Sequence, residues 1–556
     1  MSAVILAVVG LGAMFLGYRF YSKFIAEKIY RLDPDFVTPA HAMRDDVDYV
    51  PTHRFVLWGH HFTAVAGAAP IVGPGIAVIW GWGPAFLWVV IGTMFFAGVH
   101  DFGAIWASVR NRAKSVGALT GDVVSQRSRT LFMIVIFLLL LMVNAVFSVV
   151  IARELITMPS SVIPVWSAVA VALVIGVLIY KVKVGIFWPT VVGTIILYAV
   201  IYLGEIVPVS VPDEFLGLQP GAQWILILFA YAAVASMLPV WLLLQPRDYI
   251  NGIQLFVGLG LLYGALLLAN PTVVAPMLNT NVPAGAPPII PLLFVTIACG
   301  AISGFHGLVG SGTTSKQLNK EPDARFVGYL GSFGEGSLAL ATIIATTAGF
   351  ASLADWEAMY TSFGQGGVTA FVQGGASILS TLGLPVAFGQ TLLTVMAVLF
   401  AGTTMDAGVR LQRYIVQEWG GIYGIPALQN GYVATMVAVG ACLVLAFGAG
   451  GADGTGGMLI WPLFGTTNQL LAGLTLLVIS VILVKLGRPS RYTMVPMVFV
   501  LGMSFLAAVY QLWDLYRTGQ YLLVFLDLLI IVAAVLVMLE AVSAFNRERQ
   551  AARSAA

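Results

Sequence analysis

The sequence predicts an all-α polytopic membrane protein of about fifteen transmembrane helices, counted at ~20 apolar residues per span, some of them broken. Three observations predict it. Of 556 residues, 59% are hydrophobic and only 9% are charged, whereas soluble domains carry about 25% charged residues; mean hydropathy is +0.94. Long apolar runs recur along the whole chain. Several runs are interrupted by Pro and Gly beside ionisable residues, and lipid tolerates such backbone only where it faces protein or a water-filled cavity.

The first run, 3–20, has no basic leader and is followed by basic residues, so it reads as a retained helix rather than a signal peptide. The second, within residues 55–83, organises the rest: FVLWGHHFTAVAGAAPIVGPGIAVIWGWG. It carries the adjacent His60 and His61 near a charged flank. It breaks at Gly67, Ala68, Ala69 and Pro70, and again at Gly73, Pro74 and Gly75, because Pro removes an amide donor and Gly loosens the backbone. Spans follow at 85–109, 131–151, 163–180, 185–203, 222–244, 252–270, 289–310, 326–350, 385–402, 431–447, 459–484, 494–513 and 521–538. Residues 270–291 are Pro-rich and uncharged and read as a covering loop. Residues 360–382, rich in Gly, Ser and Gln, lie on the surface or re-enter.

Charges between the spans alternate. Alternate loops hold Lys23, Arg54, Arg110, Lys181, Arg247, Lys316, Arg410, Arg413 and Lys485; the opposite ones hold Glu205, Asp213, Glu214, Asp355, Glu357, Asp453 and Asp514. The positive-inside rule then sets the N-terminus outside and the C-terminus in the cytoplasm. A net charge of +2, without a basic tail, argues against nucleic acid as a partner. The two cysteines, Cys299 and Cys442, read as small buried hydrophobes. Oligomeric state is not legible.

Four of the six histidines, His60, His61, His100 and His306, fall within spans. Ionisable groups there are costly and normally paired. His100 lies ten residues before Arg110 and His306 ten before Lys316; Glu335 lies ten beyond Arg325. Ten helical residues rise about 15 Å, so these groups and Asp101 share a layer. Three readings stay open. His60, His61, Asp101, His306 and Glu335, with Ser311 and Thr314, handle a coupling ion, H⁺ or Na⁺. Alternatively His60, His61, His100, Asp101 and His306 hold a metal, Zn²⁺ by ligand type, as an intramembrane metal protein or enzyme. Or the groups form a structural polar network. No cofactor is required by any motif; bound Na⁺ or Zn²⁺ is the only candidate.

A second Gly- and hydroxyl-rich segment runs from Cys299 through Ser303 and His306 to Lys316. A third break is expected across residues 231–239, ending at Pro239 and containing Ser236. It runs opposite in sense to the first, as in an inverted repeat of five plus five helices. The reading divides the chain into a peripheral 1–54, repeats at 55–204 and 222–402, and a peripheral 403–556. Gly67, Ala68, Ala69, Pro70, Gly73, Ser236 and Ser303 are the candidate substrate contacts. With no Arg or Lys expected mid-span, backbone amides at half-helix N-termini are the expected anion partners.

Five segments carry a resemblance: FVLWGHHFTAVAGAAPIVGPGIA, FAGVHDFGAIWASVRNRAKSVG, ACGAISGFHGLVGSGTTSKQL, FAGTTMDAGVRLQRYIVQE and WPLFGTTNQLLAG. Spread from Phe55 to Gly473, they resemble the carbon starvation protein CstA family. The resemblance implies a secondary transporter of the bacterial or archaeal inner membrane, taking up peptides or pyruvate with H⁺. It also implies a LeuT-like core akin to the amino acid–polyamine–organocation transporters, and no enzymatic activity. The family pattern often places Gln at His100, which leaves His60, His61, Asp101 and His306 as the expected coupling residues.

Overall fold

The computed structural model describes residues 1–45, 48–185, 187–239, 241–449 and 457–554; Asp453 lies outside them. The described residues are helical, with three isolated bridges and no strand. Among the described residues, thirteen helices are long and apolar enough to cross a membrane. The helices Arg54–Ala66 and Ala69–Trp80 form a further span, bent by 48° at the first expected break. The run expected at 289–310 forms two short helices, Ile289–Thr296 and Gly304–Val309, separated by non-helical residues. With these two broken helices, every apolar run read from the sequence has its helix.

The two broken helices lie side by side. Glycines allow the approach: a Cβ on Gly73 would clash with the Thr296 carbonyl, and one on Gly300 would clash with Ala339 Cβ at 2.7 Å while standing in ordinary contact, 3.5 Å, with Pro70 Cβ. Gly300 also has φ +94°, which favours glycine. The helix Gly457–Lys485 packs on the second break through small residues: Gly304 sits against Asn468 and Leu471, and Gly465 against the Val295 carbonyl. Without a hydrophobic force between helices in lipid, such close approach is what holds them together.

The third expected break is not a break. Pro220–Met237 is one unbroken helix, capped at Leu238. Pro239 lies beyond its last turn, where it stops a helix rather than kinking one. The freed carbonyls of Ala235 and Leu238 accept bonds of 2.7 and 2.9 Å from Arg410 Nη2. The loop placement of Arg247, Arg410 and Arg413 is likewise corrected. Arg410 and Arg413 lie within the helix Val386–Ile422, which continues about twenty residues past the expected span end at 402, and all three side chains are buried.

Both unassigned stretches cover the first broken helix. Residues 270–291 pass over its end: the Asn279 amide donates to Trp80 O at 3.0 Å and Asn279 Nδ2 to Ile79 O at 2.8 Å. Within 360–382, the helix Gly367–Leu379 packs on Leu330–Ala348, with Gly349 against Gly374. Tyr360 donates its hydroxyl to Gly75 O at 2.7 Å.

Candidate functional site

Asp101 is the centre of the candidate site. It sits on the helix Gly98–Arg110, directly after a π-helical turn, Thr93–Ala97. Such wide turns free backbone groups and occur at functional sites; here Met94 O accepts the Tyr329 hydroxyl at 2.6 Å. Asp101 Oδ1 lies 2.7 Å from His100 Nδ1. Its Oδ2 lies 2.8 Å from His306 Nδ1 and accepts the Ser332 hydroxyl at 2.6 Å. Beyond the His306 ring, Nε2 stands 3.1 Å from Glu335 Oε2, off the line of a proper hydrogen bond. His306 is thus gripped between two carboxylates, all three groups essentially out of solvent. Each imidazole turns Nδ1 to Asp101, so the proton of the neutral ring sits on that nitrogen.

Glycines make the approach possible. A Cβ on Gly328 would stand 2.8 Å from Phe102 Cα, and one on Gly331 would stand 2.7 Å from His61 Cδ2. His61 therefore packs directly on the helix Leu330–Ala348 that carries Ser332 and Glu335. Its Nδ1 is 2.9 Å from Thr314 Oγ1, in another π-helical turn, Gly310–Thr314. Its Nε2 has no hydrogen-bond partner. Four expected ion-handling residues, His61, Asp101, His306 and Glu335, with Thr314, are therefore neighbours contributed by four separate helical segments.

The second break adjoins this row. Asn468 Oδ1 accepts the Phe305 amide at 3.0 Å, capping the helix that bears His306. Its Nδ2 donates to Ser303 Oγ at 3.0 Å and Cys299 Sγ at 3.2 Å. Ser311 turns away: its hydroxyl donates to Gly307 O at 2.6 Å and accepts the Val116 amide at 3.0 Å.

His60 faces the other way. Its Nδ1 is 3.7 Å from Asp248 Oδ2, on the helix Leu244–Ala269. There a second buried cluster forms, which the sequence reading missed. Arg247 Nη1 pairs with Asp406 Oδ2 and with the Tyr231 hydroxyl, and Tyr231 donates to Asp406 at 2.8 Å. Asn251 Nδ2 donates to Thr403 Oγ1 at 2.6 Å. This cluster reaches the first break, since a Cβ on Gly67 would stand 2.7 Å from Thr404 Oγ1. Arg247 and Asp406 are thus buried charges near the site, where the sequence reading expected none. Their only signal was an Arg-Asp and an Asp near span ends, which reads equally well as loop polarity.

Of the expected substrate contacts, Gly67, Ala68, Ala69 and Pro70 lie at the first break and Ser303 at the second, whereas Gly73 lies inside the helix Ala69–Ala77, which runs on through Pro74, so the further break expected at Gly73, Pro74 and Gly75 is not a break. Ser236 lies on the unbroken Pro220–Met237 helix, its hydroxyl donating to Ala233 O at 3.0 Å. The expected metal set does not converge: His60 faces Asp248, His61 faces Thr314, and His100 and His306 both spend Nδ1 on Asp101.

The family model described as carbon starvation protein CstA matches residues 2–360 and 352–508. The peptide transporter CstA of Campylobacter jejuni is 32% identical, across 90% of this chain and 79% of that protein. The pyruvate/proton symporter BtsT of Escherichia coli is 31% identical, across 90% and 80%. Among solved structures, a manganese transporter from Eremococcus coleocola covers 91% of this chain and 99% of its own at 12% identity and TM-score 0.46, a likeness too slight to transfer detail. The motif segments that carry the sequence resemblance all bear on the Asp101 row or the two breaks. The chain belongs to the carbon starvation protein CstA family.

Proposed function

We propose that the chain is a secondary active transporter that imports pyruvate or a short peptide, coupled to H⁺ (or Na⁺), by alternating access. The names of the relatives support transport rather than catalysis: peptide transporters, and one pyruvate/proton symporter. One observation carries the coupling mechanism, namely His306 held between Asp101 and Glu335 in a buried row. An imidazole so placed takes a proton at Nε2 from the Glu335 side and gives one up at Nδ1 to Asp101. The ring thereby passes a proton between two acids without moving far. His61, one helix away, supplies the next acceptor through its unpartnered Nε2.

The substrate belongs where the breaks adjoin, at residues 67–70 and 297–303. The helix Ala69–Ala77 begins there, and the positive end of its dipole suits a carboxylate. In this reading the broken helices are the first members of the two repeats. The packing of Pro70 on Gly300 favours a second repeat opening at Ile289 rather than at 222. The reading also places the protein in the inner membrane, N-terminus outside and C-terminus cytoplasmic, on the alternation of loop charge.

Uptake into proteoliposomes tests the proposal. Labelled pyruvate or dipeptide accumulates against its gradient when the lumen is made alkaline, and a protonophore abolishes it. Accumulation only under an inward Na⁺ gradient would move the coupling to Na⁺. No accumulation of either substrate under either gradient would overturn the reading.

A further inference from the structure

We propose that Cys299 Sγ, His306 Nε2 and the Glu335 carboxylate form a binding site for a divalent metal of zinc-like softness. Their ligand atoms lie within 4.8 Å of one another, and all three residues are buried. Bonds in tetrahedral zinc sites are about 2.0–2.3 Å, which puts ligand atoms roughly 3.3–3.8 Å apart. Closing the set needs about an ångström of movement, and Cys299 stands in the non-helical stretch between Thr296 and Gly304, where such movement is easiest.

Two buried atoms of these residues have no hydrogen-bond partner, His306 Nε2 and Glu335 Oε1, and Glu335 Oε2 faces His306 Nε2 at 3.1 Å. The surroundings match what metal ligands need. A metal-bound imidazole ordinarily donates its other N–H to a carboxylate, which fixes the tautomer and turns the free lone pair to the ion. Here Asp101 accepts from His306 Nδ1 at 2.8 Å, and is itself held by His100 and Ser332. Asn468 Nδ2, 3.2 Å from Cys299 Sγ, supports a thiolate.

A thiolate and a carboxylate offset the ion's two charges, so the filled site is neutral at this depth. On binding, the thiol proton leaves to solvent as the Cys299–metal bond forms. Sulfur and imidazole together select Zn²⁺ or Co²⁺ over Mg²⁺, Ca²⁺ and Na⁺, and three protein ligands leave a fourth position open. The site stands on this ligand geometry and does not rest on the transport reading. It does share His306 and Glu335 with the proposed proton path, so an ion held there blocks that path.

Cobalt titration of the purified full-length protein after chelation tests the site. One Co²⁺ binds per chain, with a sulfur-to-cobalt charge-transfer band. The chain has two cysteines, so two variants assign the sulfur: Cys299→Ser loses the band and Cys442→Ser keeps it. Glu335→Gln, read by competition with a chelator on protein that remains monodisperse, weakens binding at least tenfold. No bound cobalt, a band that survives Cys299→Ser, or unchanged affinity in Glu335→Gln would overturn the assignment.

Discussion

Asp101 accepts from three side chains through its two oxygens, and that valency decides what its substitution does. Asp101→Asn keeps the shape but replaces an acceptor with a donor facing an imidazole N–H. Proton-driven accumulation is expected to fall at least tenfold, while exchange of labelled for unlabelled substrate, which needs no net proton movement, persists. Equal loss of both would assign Asp101 to the scaffold instead. At Gly331, the substitution Gly331→Ala puts a methyl 2.7 Å from the His61 ring. Overpacking of this kind typically costs about 1–3 kcal/mol, so thermal unfolding in detergent should come several degrees lower. Gly312→Ala, which meets nothing within 4 Å, is the matched control.

At the scale of elements, the Val386–Ile422 helix is tied to its neighbours by the buried Arg247–Asp406 pair. Removing one member of such a pair typically costs about 3–5 kcal/mol, because the other charge is left buried and alone. Arg247→Gln and Asp406→Asn should each destabilise strongly, and the double variant by less than their sum. Strict additivity in a double-mutant cycle would show that the pair does not act as a unit. Asn468→Ala removes the cap of the Gly304–Val309 helix and is expected to cost about 1 kcal/mol in stability.

The same elements show how far the sequence could be read. Every span was legible, because hydropathy and helix length are fixed by the bilayer. The first break was legible too, at Gly67 and Pro70, whereas Pro74 and its flanking glycines, read as a further break, sit inside the helix Ala69–Ala77. His61, Asp101, His306 and Glu335 were found by counting depth from flanking charges. What failed was the judgement of ends. Pro239 looks the same in sequence whether it kinks a helix or follows one. Arg410 looks like a loop charge unless the helix is known to continue beneath it. His60 and His61 are adjacent in sequence, but about 100° of helical rotation separates their directions, and only packing tells which one faces Thr314 beside the His306 helix. Cys299 gave no signal, because nothing local links it to Glu335.

At the scale of the whole molecule, alternating access requires the two breaks to exchange exposure between the faces of the membrane. A prediction follows for the cover over the first broken helix, where Tyr360 reaches Gly75 O. Tyr360→Phe removes that bond and leaves the ring packing on Trp356. Opening towards this side is then expected to be more frequent, read as faster labelling of a cysteine placed at Ala69 in a background without native cysteines. An unchanged labelling rate would show that the cover does not govern access.

The meeting of three donors on one carboxylate has a mechanical meaning as well. His306, Ser332 and His100 reach Asp101 from the second broken helix, the Glu335 helix and its own helix. A hydrogen arriving on that carboxylate turns an accepting oxygen into a giving one, and at least one of the three fastenings must let go or reverse. In the proposed coupling, the particle that drives uphill movement is then also the signal that unbuckles the helices that have to move.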